Sequence, residues 1–226
     1  MMSFASLYNS FARHPENSWI MKPYNAQVLY NFVKKYKPRR VLDLGTGIGV
    51  SVAIVALALT ELGEEFLIDT VDHSEKCFDL AQKLIPKELQ KNIKFHLKGV
   101  EAWSTEKMPY QFFSNFKEVA EADYNLIITD GPGEYLDGEH LINLPNGDVL
   151  RLHMEGKIKP GTFIFFDGRI RALGTIERYF AGDFYALDMP NNRCNILERK
   201  DSPVTFFDAR KAEFEVSNYF SDGKPK

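Results

Sequence analysis

Cysteine is scarce in this sequence: Cys77 and Cys194 are the only two in 226 residues. That count excludes a secreted disulfide scaffold, and both are expected to be reduced, small core residues. Long hydrophobic runs are missing as well. The longest, Val50 to Leu59, is broken by Ser51. It is too short to span a bilayer and reads as a buried helix, so no membrane association is expected. Neither sign of charge dominates, with 28 Lys and Arg against 31 Asp and Glu, a net of −3. Coating nucleic acid usually needs a basic face, so no nucleic-acid partner is expected. The opening MMSFASLYNSFARHPE has no apolar stretch behind basic residues. No signal peptide is expected, which makes the cytoplasm the expected compartment.

The remaining composition is ordinary for a globular protein: 44% apolar and 26% charged residues. A chain this long buries about 70% of its unfolded surface, so it needs neither metal nor disulfide to fold. Strands are expected near 40–44, 65–71, 93–98, 124–130, 161–167, 183–188 and 193–198. Apolar, β-branched or aromatic residues dominate the clearest of these, and Gly, Pro, Asn or Asp bounds most of them. Helices are expected near 25–36, 48–61, 74–84, 110–121, 148–158 and 171–180. The alternation predicts a single doubly wound, mostly parallel α/β sheet covered on both faces. Met189-Pro-Asn-Asn192 is a hairpin signal, so the last strand is expected to be antiparallel. Residues 1–37 read as an N-terminal helical extension covering the site, and 38–226 as the main domain. In such sheets ligands bind beyond the carboxyl ends of the strands, so the residues just past each strand are the place to look for a site.

The first strand ends in Asp43-Leu44-Gly45-Thr46-Gly47-Ile48-Gly49, and a helix is expected at once. Three glycines allow a tight turn and a close backbone approach to a ligand, and the helix start offers free N–H groups. A dinucleotide fingerprint G-x-G-x-x-G starting at Gly45 would place its third glycine at Val50, where it fails. An acid at the strand end suits a ligand carrying ammonium or sulfonium charge.

VLDLGTGIG resembles the first motif of the class I S-adenosylmethionine-dependent methyltransferases. Asp72 ends the second expected strand, and KPGTFIFFD (159–167) resembles the family's turn into its fifth strand. The resemblance covers roughly Arg40 to Glu198. It implies a seven-stranded Rossmann-like sheet of order 3-2-1-4-5-7-6 with strand seven antiparallel. It also implies S-adenosylmethionine as cofactor, bound by Asp43, Gly45, Thr46, Gly47 and Gly49. Asp72 would grip the ribose hydroxyls, and Gly99, Val100 and Glu101 would lie at the adenine.

After the fourth strand stands Thr129-Asp130-Gly131-Pro132-Gly133. The Asn/Asp-Pro-Pro-aromatic motif of amino-methyltransferases is absent. Asp130-Gly131 instead resembles small-molecule and carbohydrate O-methyltransferases, which implies a small-molecule or sugar acceptor. Asp130 and Asp167 are therefore the candidate catalytic acids. They are also candidate ligands for a divalent cation such as Mg2+, which would lower the pKa of the acceptor hydroxyl. The sequence departs from that pattern at Gly168, where catechol-type relatives carry Asn. It departs again at Pro132-Gly133-Glu134, where others carry histidine. Arg169 and Arg171 are candidates for binding a carboxylate or phosphate of the substrate. His140, in the long polar loop from Gly131 to Pro145, is a candidate base. Trp19 and Tyr24 are candidate pocket residues. Three rivals stay open: a nicotinamide-dependent oxidoreductase on a similar sheet, a non-catalytic ligand-binding module, and an RNA or protein methyltransferase. Oligomeric state is not legible.

Overall fold

In the computed structural model, residues 2–17, 20–99, 123–131 and 147–169 are described throughout, with short strands and single positions beyond them. The chain opens with α1 (Phe4–Ala12) and α2 (Pro23–Tyr36), then β1 (Arg40–Leu44) and α3 (Val50–Glu61). It continues through β2 (Leu67–Asp72), α4 (Glu75–Leu84), α5 (Lys87–Gln90) and β3 (Ile93–Leu97). A hairpin of β4 (Glu101–Thr105) and β5 (Met108–Ser114) precedes β6 (Leu126–Thr129). The short strands β7 (Tyr135–Leu136) and β8 (Ile142–Asn143) lead to α6 (Asp148–Met154), β9 (Phe163–Asp167), β10 (Phe184–Leu187) and β11 (Cys194–Arg199). Among the described residues, no helix is long and apolar enough to cross a membrane.

β3, β2, β1, β6 and β9 lie side by side in parallel. This Rossmann-like α/β architecture agrees with the sequence reading. β11 pairs antiparallel with β9 and with β10, giving the sheet order β3-β2-β1-β6-β9-β11-β10. Strand order reverses beside β1: β2 and β3 lie on one side of it and β6 on the other. Ligand crevices open at such reversals, beyond the strand carboxyl ends.

Side chains alternate across the sheet, as the two-residue period of a strand requires. Val41, Leu126, Ile128 and Phe165 enter one core with α1, α2 and α3. Leu42, Ile127, Ile164 and Phe166 enter another with α6 and the buried, helical Leu173 and Ile176. Helix α3 is apolar all round and buried from Val50 to Leu59. A helix of that kind needs cover on both sides. The sheet supplies one side, and α1 and α2 supply the other. Helix α2 starts on Pro23, whose fixed φ suits a first turn, and stops at Lys37 in the left-handed conformation.

One expectation fails. The helix expected at 110–121 overlaps β5, which runs from Met108 to Ser114. The segment Tyr110-Gln-Phe-Phe-Ser is rich in aromatics that favour a pleated surface. Pairing with β4, which sets Trp103 opposite Phe112, overrides a weak helical spacing. Residues 115–122 lie outside the described residues.

Phe32 is fully buried, edge-on to Phe163 with ring centroids 5.1 Å apart and tilted against Tyr36 at 4.6 Å. Phe32→Ala therefore removes one of the aromatic links between α2 and the sheet and leaves a cavity there. It is expected to cost about 3–5 kcal/mol in urea unfolding.

Candidate active site

The turn after β1 is built on three glycines with positive φ: Gly45 at 102°, Gly47 at 52° and Gly49 at 97°. Each serves a different end. A side chain at Gly45 would begin 2.2 Å from the backbone nitrogen of Gly131, so these two backbones meet with no room between them. A side chain at Gly49 would begin 2.8 Å from Ile85, so that glycine seats α3 against α4. Around Gly47 no described residue lies within 4 Å of where a side chain would start, so the turn is open there among the described residues. Backbone hydrogen bonds fix the turn from both sides. Gly45 N–H and Thr46 N–H donate to the Val71 carbonyl, and Asp130 N–H and Gly131 N–H donate to the Leu44 carbonyl.

Asp72 closes the turn. One carboxylate oxygen accepts from Gly47 N–H at 2.8 Å and the other from Ser74 N–H at 2.8 Å. The side chain is 7% exposed. His73, half-exposed, places Nδ1 3.6 Å from the same carboxylate. Each carboxylate oxygen retains a lone pair for a ligand hydroxyl.

Asp43 stands behind the turn rather than in it. It is fully buried, and Ser51 Oγ and Thr70 Oγ1 donate to its two oxygens at 2.8 and 2.7 Å. Thr46 Oγ1 and Thr70 Oγ1 form a further hydrogen bond at 2.6 Å, which ties the glycine turn into this cluster. Burial pushes the Asp43 carboxyl up to about 7; the two hydroxyls oppose that shift and Asp72 adds to it. The sequence marked this cluster in one place, at Ser51, which interrupts the apolar run of α3.

The acids beyond β6 and β9 share the α2/α3 face of the sheet. Thr129 is in register with Phe166, so one step further Asp130 falls beside Asp167. Asp130 is partly buried, with 24% of its side chain accessible. Its carboxyl is held well above the usual range by burial and by the charge of Asp167, against the opposing pull of Arg169. Arg169 Nη2 lies 3.4 Å from Asp130 Oδ1. Asp167 Oδ1 accepts from Asn25 Nδ2 at 2.5 Å. Asn25, buried on α2, was not foreseen, because a contact across 142 residues leaves no local signal. Tyr8 on α1 donates to the Met21 carbonyl at 2.8 Å, and burial followed by the charge of Asp167 raises its hydroxyl pKa.

The remaining candidates divide. Gly99 is exposed just past β3, where Lys98 N–H donates to the Asp72 carbonyl, so this segment runs alongside the ribose candidate. Glu101 opens β4, but its side chain lies outside the described residues, as do Val100, Trp19, Glu134, His140 and Arg171. Among the described residues, no group of three His, Cys, Asp or Glu could hold a metal ion.

The family model for protein-L-isoaspartate(D-aspartate) O-methyltransferase matches residues 6–115. Solved structures of the same fold include an SAH-bound methyltransferase of Podospora anserina. It is 14% identical, with 86% of this chain and 88% of that one covered at a TM-score of 0.57. An O-methyltransferase of Bacillus cereus in complex with SAH is 16% identical, with coverage of 86% and 88% and a TM-score of 0.55. A third is the O-methyltransferase of Streptomyces achromogenes involved in tomaymycin synthesis, in complex with SAM. It is 14% identical, with coverage of 87% and 86% and a TM-score of 0.55. The chain has the fold of the class I S-adenosylmethionine-dependent methyltransferases, and just under half of it matches a methyltransferase family model. No curated protein matches it. The match to the methyltransferase family ends before β6, so it spans the glycine turn and Asp72 but stops short of Asp130, Asp167 and Arg169.

The pH dependence of stability in this protein depends on Asp43. Its folded value near 7 exceeds an unfolded value of about 4, so the folded state holds the extra proton between them. Stability from this group is complete below about pH 4 and falls as pH rises toward 7, by up to ~4 kcal/mol. Urea unfolding of Asp43→Asn across that window is expected to show a shallower decline than wild type. The decline does not vanish, because Asp130 is raised in the same sense.

Proposed function

We propose that this chain transfers a methyl group from S-adenosylmethionine to an oxygen of a small molecule or sugar. One observation carries the reading. The glycine turn, closed by the Asp72 carboxylate, stands at the strand-order reversal directly against the Asp130-Gly131 step. A cofactor site and an acceptor site then share one crevice.

The residues present fit the cofactor. The open space at Gly47 admits a ligand against the backbone, and Asp72 presents a carboxylate with lone pairs left for ribose hydroxyls. Asp43 lends negative charge from behind the turn, and Thr46 couples it to the loop. Gly99, Val100 and Glu101 would take the adenine end. When bound, the cofactor supplies an electrophilic methyl group on sulfonium.

Asp130 then takes the acceptor's proton. Its raised carboxyl pKa narrows the gap to a hydroxyl, which favours general-base work. Asn25 holds Asp167 in place beside it. The N-terminal segment 1–37 contributes through Asn25 and Tyr8, so we assign it to the acceptor wall rather than to a separate unit. The solved relatives bear O-methyltransferase names and SAH or SAM in their titles, which supports both cofactor and acceptor atom. The isoaspartate acceptor named by the family match is not carried over, since residues 6–115 stop short of Asp130, Asp167 and Arg169. The same comparisons favour this reading over a nicotinamide-dependent oxidoreductase.

Calorimetric titration of S-adenosylhomocysteine is expected to give micromolar binding to the wild type. Asp72→Ala should weaken it about tenfold or more, since two hydrogen bonds to a buried charge are lost. Unchanged affinity would remove Asp72 from the ribose role. Asp130→Asn should bind S-adenosylhomocysteine within about twofold of wild type yet lower kcat by ~10²–10⁴, the worth of a general base. An equal loss in binding would instead place Asp130 in the cofactor site.

A further inference from the structure

Asp130 and Asp167 are the acids between which a divalent cation was expected. The cation that stands there belongs to the chain. Gly168 takes φ +73°, a left-handed turn directly after β9. With no side chain of its own, Gly168 offers no ligand, and the next residue is set against Asp130. That residue is Arg169, with Nη2 3.4 Å from Asp130 Oδ1. Asp167 already has Asn25 Nδ2 on Oδ1. Arg169 Nε is buried and has no hydrogen-bond partner among the described residues. A buried N–H without an acceptor is costly, and its natural complement here is an incoming oxygen.

Resting on the methyltransferase reading above, we propose that Arg169 is the built-in cation of the acceptor site, so that this chain works without a divalent metal. A guanidinium stays charged at every working pH and presents donors in a fixed fork. One edge holds Asp130. The Nε donor faces the acceptor oxygen and stabilises the negative charge that grows on it as its proton passes to the Asp130 carboxylate. This is the electrostatic task that a bound cation performs in metal-assisted transfer. A divalent ion placed beside Asp130 would meet the guanidinium as a like charge and lose one carboxylate already engaged.

The test is a titration of Mn2+, followed by electron spin resonance, into wild type, Arg169→Ala, Arg169→Gln and Arg169→Lys. Wild type and Arg169→Lys are expected to show no site tighter than about 1 mM. Either neutral variant should bind Mn2+ at least about tenfold more tightly, since the two acids are left without their cation. Adding Asp130→Asn to the neutral variant should abolish that gain, which locates the site. The neutral pair guards against one variant failing to fold. Micromolar Mn2+ binding by wild type, or no gain in either neutral variant, overturns the proposal. S-adenosylhomocysteine is titrated into the same samples. Its failure to bind wild type would sink the cofactor reading, while the Mn2+ comparison would still decide the role of Arg169.

Discussion

Two backbones without side chains meet where β1 and β6 end, and the site is arranged around that contact. Gly45 and Gly131 approach so closely that a methyl group on either would fall within 3 Å of the other's backbone. Parallel strands are held about 4.8 Å apart by their ladder, so there is no freedom to widen the gap. Both positions must therefore lack Cβ. The glycine after Asp130 is thus explained by packing before any chemistry is invoked. Its consequence is chemical all the same, because the turn that would carry the cofactor touches the step that carries Asp130, the proposed acceptor acid. The distance between the two proposed sites would then be set by the spacing of paired strands.

The second constraint is electrostatic. Asp43, Asp72, Asp130 and Asp167 come from four neighbouring strands and gather on one face of the sheet edge. The charges of Asp167, Asp43 and Asp72 all help to raise the Asp130 carboxyl, after burial itself. Such crowding opposes folding near neutral pH, and each carboxylate has a local remedy. Asp43 takes two hydroxyls, Asp72 two backbone amides, Asp167 an amide side chain and Asp130 a guanidinium. The remedies differ in what they leave behind. Hydroxyls and amides satisfy lone pairs without cancelling charge, so the turn end stays negative and suits a cationic ligand. At Asp130 the guanidinium cancels the charge locally and leaves a donor facing the acceptor side. One sheet edge thus offers a half with no cation and a half in which one of two acids has one.

Much of this was legible in the sequence. The parallel strands announce themselves as short β-branched and aromatic runs ending at Gly or Asp, and β1, β2, β3, β6 and β9 lie where those runs predict. The glycine spacing was readable because a tight turn at positive φ tolerates few other residues, and Asp72 because it stands at the end of a strand. Segment 110–121 was misread because Tyr, Phe and Phe fit a weak helical spacing as well as a strand, and the deciding partner, β4, lies outside the window. Asn25 was invisible for a related reason, since nothing local distinguishes a buried amide that meets an acid from one that faces its own helix. Arg169 was seen, but as a clamp for a substrate anion. Its pairing with Asp130 depends on the turn at Gly168, and a sequence shows the glycine without its φ.

The N-terminal helices show why the fold and the site cannot be assigned to separate parts of the chain. Helix α3 begins directly at the glycine turn and is apolar on every side, so its outer face must be covered for the turn to hold its shape. Helices α1 and α2 supply that cover, and Phe4, Leu7, Phe11, Val28, Leu29 and Phe32 join the same core as Ile54 and Leu57. Once docked there, α2 has its first turn at the sheet edge, and the buried Asn25 meets Asp167. Tyr8, one helix further out, feels the same carboxylate. Packing that is demanded by an apolar helix therefore delivers polar groups to the acceptor side at no separate structural cost. Residues that stabilise α3 and residues that orient Asp167 belong to one rigid layer, so the geometry beside Asp130 is only as fixed as the cover over α3.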